Sequence, residues 1–225
     1  MKKFENIDIV KPRVKKIGCL HGNPRPHRIA NYLALKNKFD LQDLEISIFS
    51  CKEGAWRADD IEITQNEIAE WKSIAPNLID RTHSISDATI KIPALDNAYI
   101  HITSETTVTD RIFLSEKTWK PIAAGQLFLH FGNPGTIDFL RTLGVDTFDD
   151  IIDHDSYDNV SDWRQRMDLI HKLASHLITL DLQDIWHATL SRRQSNVSKF
   201  FAGDFLQNYR HDIIDNLLGN HVSRS

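Results

Sequence analysis

Tyr99–Phe131, YIHITSETTVTDRIFLSEKTWKPIAAGQLFLHF, is the stretch whose reading decides the fold. It opens on Tyr99-Ile100-His101-Ile102, a short apolar run rich in β-formers, which predicts a strand. A polar loop follows from Thr103 to Asp110. Ser115 then stands at an N-cap position before Glu116-Lys117-Thr118-Trp119-Lys120-Pro121-Ile122-Ala123-Ala124, and Gly125 stops that helix. Gln126 to Phe131 reads as the next buried strand. Strand, loop, helix and strand in this order make the repeating unit of a parallel α/β sheet.

In such a sheet, ligands sit beyond the carboxyl ends of the strands, where helix N-termini offer unpaired N–H groups to anions. Glu105 falls just past the first of these strands, and Ser115, Glu116 and Lys117 open the helix after it. A carboxylate accepts hydrogen bonds from ribose hydroxyls, and a lysine at a helix N-terminus suits a phosphate. Equally, Glu116 can simply complement the helix dipole and Lys117 can be a solvated charge, and the residues alone leave both readings open.

Working outward, Lys16-Ile17-Gly18-Cys19-Leu20-His21-Gly22 is a second short apolar run ending in glycine, another buried strand. The prolines of Asn23-Pro24-Arg25-Pro26-His27-Arg28 forbid regular structure until a helix starts near His27. Arg25, His27 and Arg28 therefore gather at the end of the first strand and the start of the first helix, where a diphosphate would lie in a doubly wound domain. An anion-binding role is favoured over an exposed basic loop, with Arg25 and Arg28 the stronger candidates, because a guanidinium grips phosphate oxygens bidentately. No G-x-G-x-x-G follows the strand, which argues against a dinucleotide-dependent dehydrogenase.

The Glu105 loop followed by Ser115-Glu116-Lys117-Thr118-Trp119-Lys120 resembles the donor-binding segment of α1,3-fucosyltransferase-like glycosyltransferases. It is more similar still to a group of short phage and bacterial glycosyltransferase-like proteins. In that group S-E-K-T-[FW]-K-P-I is followed by N-P-G and L-R-x-L-G, here Asn133-Pro134-Gly135 and Leu140-Arg141-Thr142-Leu143-Gly144. An R-x-H-R after the first strand matches Arg25-Pro26-His27-Arg28. The resemblance runs from Lys15 to about Leu177. It implies the donor-binding, C-terminal half of a GT-B fold, with Glu105, Glu116 and Lys117 contacting the ribose and phosphates of a nucleotide sugar. Family members of this kind carry the acceptor site on a second Rossmann domain. This chain offers only an arm, a loop and C-terminal helices in its place.

Elsewhere the pattern predicts a strand over Leu44–Cys51, a helix over Thr64–Ile74, and a mostly irregular segment over 77–98 that contains His83. Asn133-Pro134-Gly135-Thr136 is a turn leading to a helix that ends at Gly144. Val145 to Ile152 reads as a last short edge strand. His154-Asp155-Ser156-Tyr157-Asp158 reads as a turn capping the next helix, and it lacks the further ligands a metal site needs. A long amphipathic helix is expected over Ser161–Leu182, with helical structure from 183 to 220 interrupted by a basic break at Ser191-Arg192-Arg193-Gln194-Ser195. The expected organisation is an N-terminal arm (1–14), a Rossmann-like nucleotide-sugar-binding domain (15–180) and a helical C-terminal extension (181–225).

Composition bounds the function. A net charge of −4 gives no global basic field for nucleic acid, and no apolar run approaches membrane-spanning length. Two cysteines in apolar surroundings make a disulfide scaffold unexpected and a reducing, cytoplasmic location the expectation, host-cell cytoplasm if phage-encoded. The expected activity is transfer of a hexosyl or fucosyl group from a GDP- or UDP-sugar to an acceptor hydroxyl on a glycan, protein or nucleic acid. No metal or other cofactor is expected, and the sequence leaves the oligomeric state open, a homo-oligomer included. Two other readings stand beside it. One is a non-catalytic nucleotide- or partner-binding module. The other is a transferase acting on nucleic acid through Arg192, Arg193 and the basic arm of Lys11, Arg13, Lys15 and Lys16.

Overall fold

The computed structural model describes residues 8–48, 61–74, 93–109 and 111–205. Four strands form the sheet: β1 (Lys15–Gly22), β2 (Leu44–Ile48), β3 (Ala98–Ser104) and β4 (Leu127–Phe131). All pair in parallel, in the order β2-β1-β3-β4. Every residue of β3 and β4 is buried, as expected of parallel strands covered on both faces. The fold is α/β and Rossmann-like. The chain steps outward from β1 to β2, then crosses back to lay β3 on the other side of β1. That reversal puts a crevice between the carboxyl ends of β1 and β3.

The helices are α1 (Pro26–Lys38), α2 (Gln65–Ile74), α3 (Pro93–Asp96), α4 (Glu116–Ala123), α5 (Thr136–Thr142), α6 (Trp163–Leu177), α7 (Leu182–Ala188) and α8 (Leu190–Ala202). Strand alternation sorts the sheet residues between two layers. Ile17 and Cys19 share a face with Ile100, Ile102, Leu127 and Leu129, through the registers Cys19↔Ile102 and Ile102↔Leu129. α1 and α6 cover this face, tied by a buried chain in which His171 Nε2 meets Asn31 Oδ1 at 2.7 Å and Asn31 Nδ2 meets His21 Nε2 at 3.1 Å. The opposite face carries Leu20, packed against Ala94, Leu95, Ala123 and Ala124 of α3, α4 and the turn after α4. Gly18 is on that face because α3 leaves no room: a Cβ there would lie 2.0 Å from the Ala94 carbonyl oxygen.

The C-terminal helices belong to the same core. Leu182, Trp186 and Phe205 join the main apolar cluster with the strand residues, and the Trp186 ring meets Tyr99 edge-on at 5.6 Å. α8 lies on α4 through Trp119, whose ring is 6.2 Å from Phe200 and 6.3 Å from Phe205. Among the described residues no helix is long and apolar enough to cross a membrane.

Several expectations are corrected. Val145 to Ile152 is not a strand. Phe148 adopts φ 63°, the Asp146 carboxylate accepts from the Phe148 N–H at 2.9 Å, and Ile151 and Ile152 N–H groups turn back to the Phe148 carbonyl. The apolar side chains that suggested a strand are nonetheless buried, because the turn points Val145, Phe148 and Ile152 inward. The His154–Asp158 stretch caps the preceding helix rather than the next: Asp158 accepts from the Ile137 N–H at 3.1 Å, while Asp162 caps α6. The long helix ends at Leu177, four residues before the Asp181 cap of α7. Residues 191–195 are no break, since they lie within α8. The expected strand residues beyond Ile48, the segment with His83, the first seven residues of the arm and the helix expected beyond 205 lie outside the described residues.

Candidate functional site

A cleft of about 310 Å³ opens at the crevice between β1 and β3. It is lined by Leu20, Gly22 and Asn23 at the end of β1, Ser47 of β2, and Thr106 after β3. Arg25 and Arg28 enter from the start of α1, and Glu116, Lys117 and Lys120 from the start of α4. Four cationic side chains thus face one carboxylate, in a chain whose net charge is −4. The topology brings these positive charges together.

Local sequence explains how each group arrives. Pro26 fixes the first turn of α1, with Arg25 as its N-cap residue in an extended conformation, φ −134°. Ser115 caps α4, its hydroxyl accepting from the Lys117 N–H at 3.1 Å. Lys117 and Lys120 are three apart and so share a face of α4. Gly22 takes φ +63°, and a Cβ there would meet Lys117 Cε at 3.4 Å. Gly22→Ala is therefore expected to cost about 1–2 kcal/mol from backbone conformation alone, readable as a lowered urea midpoint.

Arg28 is almost completely buried. Its Nε donates to the Glu105 carbonyl at 3.0 Å, Nη1 to the Asn23 carbonyl at 3.1 Å and Nη2 to the Thr106 hydroxyl at 3.3 Å. These bonds commit three of the five N–H groups of the guanidinium and leave two for a ligand. Burial, and then the neighbouring Arg25, pull its pKa down to about 10, with Glu105 and Glu116 acting the other way, so it stays charged at neutral pH. Burial alone would raise the Glu116 carboxyl. The hydrogen bond and charge of Lys117 outweigh that and hold it below the usual carboxylate value.

The sequence candidates divide into two groups. Arg25, Arg28, Glu116 and Lys117 line the cleft together, and Ser115 supports them from the N-cap. His27 and Glu105 do not line it. His27 Nε2 meets the Glu105 carbonyl at 2.9 Å, and the buried Glu105 carboxylate is taken up by Thr106, Ser115 and Thr118. Lys120, Ser47, Thr106 and Asn23 are lining residues that the sequence reading passed over. Lys120 was findable, because it repeats Lys117 one helical turn on. Ser47 was not, because nothing local says that β2 ends beside β1's loop.

The chain matches no family model, no curated protein and no solved structure. The geometry therefore carries the reading alone. Such a cleft has the charge to hold a polyanion and to stabilise negative charge as it builds on a departing phosphate. The basic residues of the nucleic-acid reading are placed elsewhere and are largely occupied. Arg192 pairs with Asp146 and Asp150, Arg13 with Asp96, and Lys16 with Asp43, while Arg193 is fully buried.

Proposed function

We propose that the cleft holds the diphosphate of a nucleoside-diphosphate sugar and that the protein is a glycosyltransferase. The observation that supports this reading best is the convergence of Arg25, Arg28, Lys117 and Lys120 at the sheet's switch point. Two phosphates carry about the charge these cations would balance, and the half-exposed Glu116 carboxylate beside them suits a ribose hydroxyl. In the transfer, an acceptor hydroxyl attacks the anomeric carbon and gives its proton to water, the bond to the diphosphate oxygen breaks, and the leaving diphosphate collects the negative charge. Lys117 and Arg25 would stabilise that charge.

A second reading, a binding module without turnover, is favoured by one feature. Glu116 is the sole carboxylate among the described lining residues, and Lys117 already engages it, so no group there stands ready as a base. One experiment separates the two: a thermal-shift panel of UDP, GDP, CMP and their sugars, followed by donor-hydrolysis and transfer assays with the nucleotide that binds. A ligand at a hundred times its dissociation constant is expected to add about 2.7 kcal/mol. Lys117→Ala should weaken its affinity about 10- to 100-fold, the value of one charge-assisted hydrogen bond. Binding without hydrolysis or transfer selects the module. If no phosphate-bearing ligand shifts the wild type, both readings fall.

A further inference from the structure

The cleft's four cations come from two helices that the sequence places far apart, and they repel one another. Something must hold α1 and α4 at the spacing a single ligand can bridge. One residue touches both. The Glu105 main-chain carbonyl accepts from His27 Nε2 at 2.9 Å and from Arg28 Nε at 3.0 Å, which fixes the start of α1. Its carboxylate accepts from the Ser115 N–H at 2.9 Å and the Thr118 hydroxyl at 2.5 Å, which fixes the start of α4. The same carboxylate accepts from the Thr106 N–H at 2.9 Å, so it also shapes the loop whose hydroxyl Arg28 holds.

We infer that Glu105 is the positioning residue of the cleft, a buried clamp that sets the distance between the α1 and α4 cation pairs, and not a group that touches the ligand. The inference rests on the cleft being the anion site proposed above. Three observations carry it. Glu105 is fully buried and does not line the cleft. Both of its carboxylate oxygens are held by the protein: Oε1 takes Ser115 and Thr118, Oε2 takes Thr106. Finally, its negative charge favours the charged form of Arg28, partly offsetting burial and Arg25. A ligand-contacting carboxylate would instead present an oxygen to the cleft, as Glu116 does.

The test uses inorganic pyrophosphate as probe on Glu105→Gln and on the milder Thr118→Val. In Glu105→Gln, one oxygen can still serve Ser115 and Thr118, but the new amide NH₂ meets the Thr106 N–H donor to donor. Pyrophosphate affinity, measured well below each variant's unfolding temperature, is expected to fall about tenfold or more in Glu105→Gln and less in Thr118→Val. Amide exchange at Thr106 and Ser115 and at the Arg28 Nε–H should rise in Glu105→Gln. Ile170→Ala, a cavity in α6, which contributes no lining residue to the cleft, lowers stability too but should leave pyrophosphate affinity unchanged. That contrast separates positioning from general weakening. The clamp is overturned if Glu105→Gln binds pyrophosphate like the wild type, whether or not exchange rises. If the wild type binds no pyrophosphate, the anion-site reading fails instead. Exchange then decides the clamp by itself, standing if Ser115 and Arg28 lose protection together and falling if they do not.

Discussion

Lowering the pH from 7 to 5 is expected to remove at least about 8 kcal/mol of folding stability, because five buried imidazoles stay neutral in the fold. Burial pulls His101, His130 and His154 down to about 4 and His171 to about 3. Burial also holds His21 well below its ordinary value, with the positive charge of Arg28 adding to the effect. The direction follows from linkage. Above about pH 7.5 these rings are neutral in both states and contribute no pH dependence. Below it the unfolded chain takes up protons that the fold refuses, so stability falls as pH falls, until the folded values near 4 are reached. Each of the four rings at about 3 to 4 is then worth about 2 kcal/mol at pH 5, and the total rivals the 5–15 kcal/mol of a whole domain.

Hydrogen bonding gives two of these rings a reason to stay neutral beyond burial. His154 Nε2 faces the Thr147 carbonyl at 2.8 Å, so it is the donor, and Nδ1 is left to accept from the Tyr157 hydroxyl at 2.6 Å. In the chain His171–Asn31–His21, the Asn31 amide donates to His21 Nε2, and protonating that nitrogen would set two donors face to face. Urea midpoints should be flat from pH 8 to 7 and drop steeply below 6. His171→Gln, which can still donate to Asn31 Oδ1, should remove about a fifth of the drop. Midpoints that stay level down to pH 5 would refute the assignment of these imidazoles as neutral.

None of this titration was legible in the sequence, where His21, His101 and His130 are merely polar letters inside apolar runs. The runs themselves were legible. Strands in a parallel sheet are buried on both faces, so β1, β3 and β4 show as continuous apolar stretches whatever the tertiary context. The Ser115 cap and the Gly125 stop are local devices, and they placed α4 within a residue or two. The site was half legible for the same reason. Arg25 and Lys117 sit at helix starts that local rules locate, and the α/β pattern says that such starts converge. What local rules do not say is which way a side chain at such a start is drawn. Glu105 and Glu116 look alike as loop and helix-start carboxylates, yet one is buried against three donors and the other faces the cleft. Val145 to Ile152 failed in the opposite sense. Its hydrophobicity reported burial correctly, and the strand was inferred from burial, while the turn depends on φ 63° at Phe148, which no propensity favours.

The adjacent arginines of α8 pose the same problem most sharply, and they yield the second large effect. Arg193→Met is expected to destabilise the protein by about 3–5 kcal/mol, whereas Arg192→Met should cost at most about 1 kcal/mol. Arg193 is fully buried, its guanidinium 3.4 Å from the centre of the Trp186 ring. It donates to the carbonyls of Trp186 at 2.6 Å, Ile9 at 2.9 Å and Gly125 at 3.2 Å. Two of these carbonyls lie at the C-terminal ends of α7 and α4, where a cation also meets the negative end of the helix dipole. That accounts for a buried arginine with no carboxylate beside it among the described residues: burial and Arg13 lower its pKa to about 9, and the carbonyls keep it charged at neutral pH. Methionine fills similar volume but strands three acceptors, each costing about 1–3 kcal/mol when left unpaired. Arg192 is a partly exposed residue bridging Asp146 and Asp150, a solvent-screened interaction. Urea denaturation of the two variants decides the matter. Equal, small losses would mean that Arg193 is replaceable. A loss confined to Arg193 would show that a basic pair resembling a nucleic-acid contact is in one half a strut between α4, α7 and the segment entering β1.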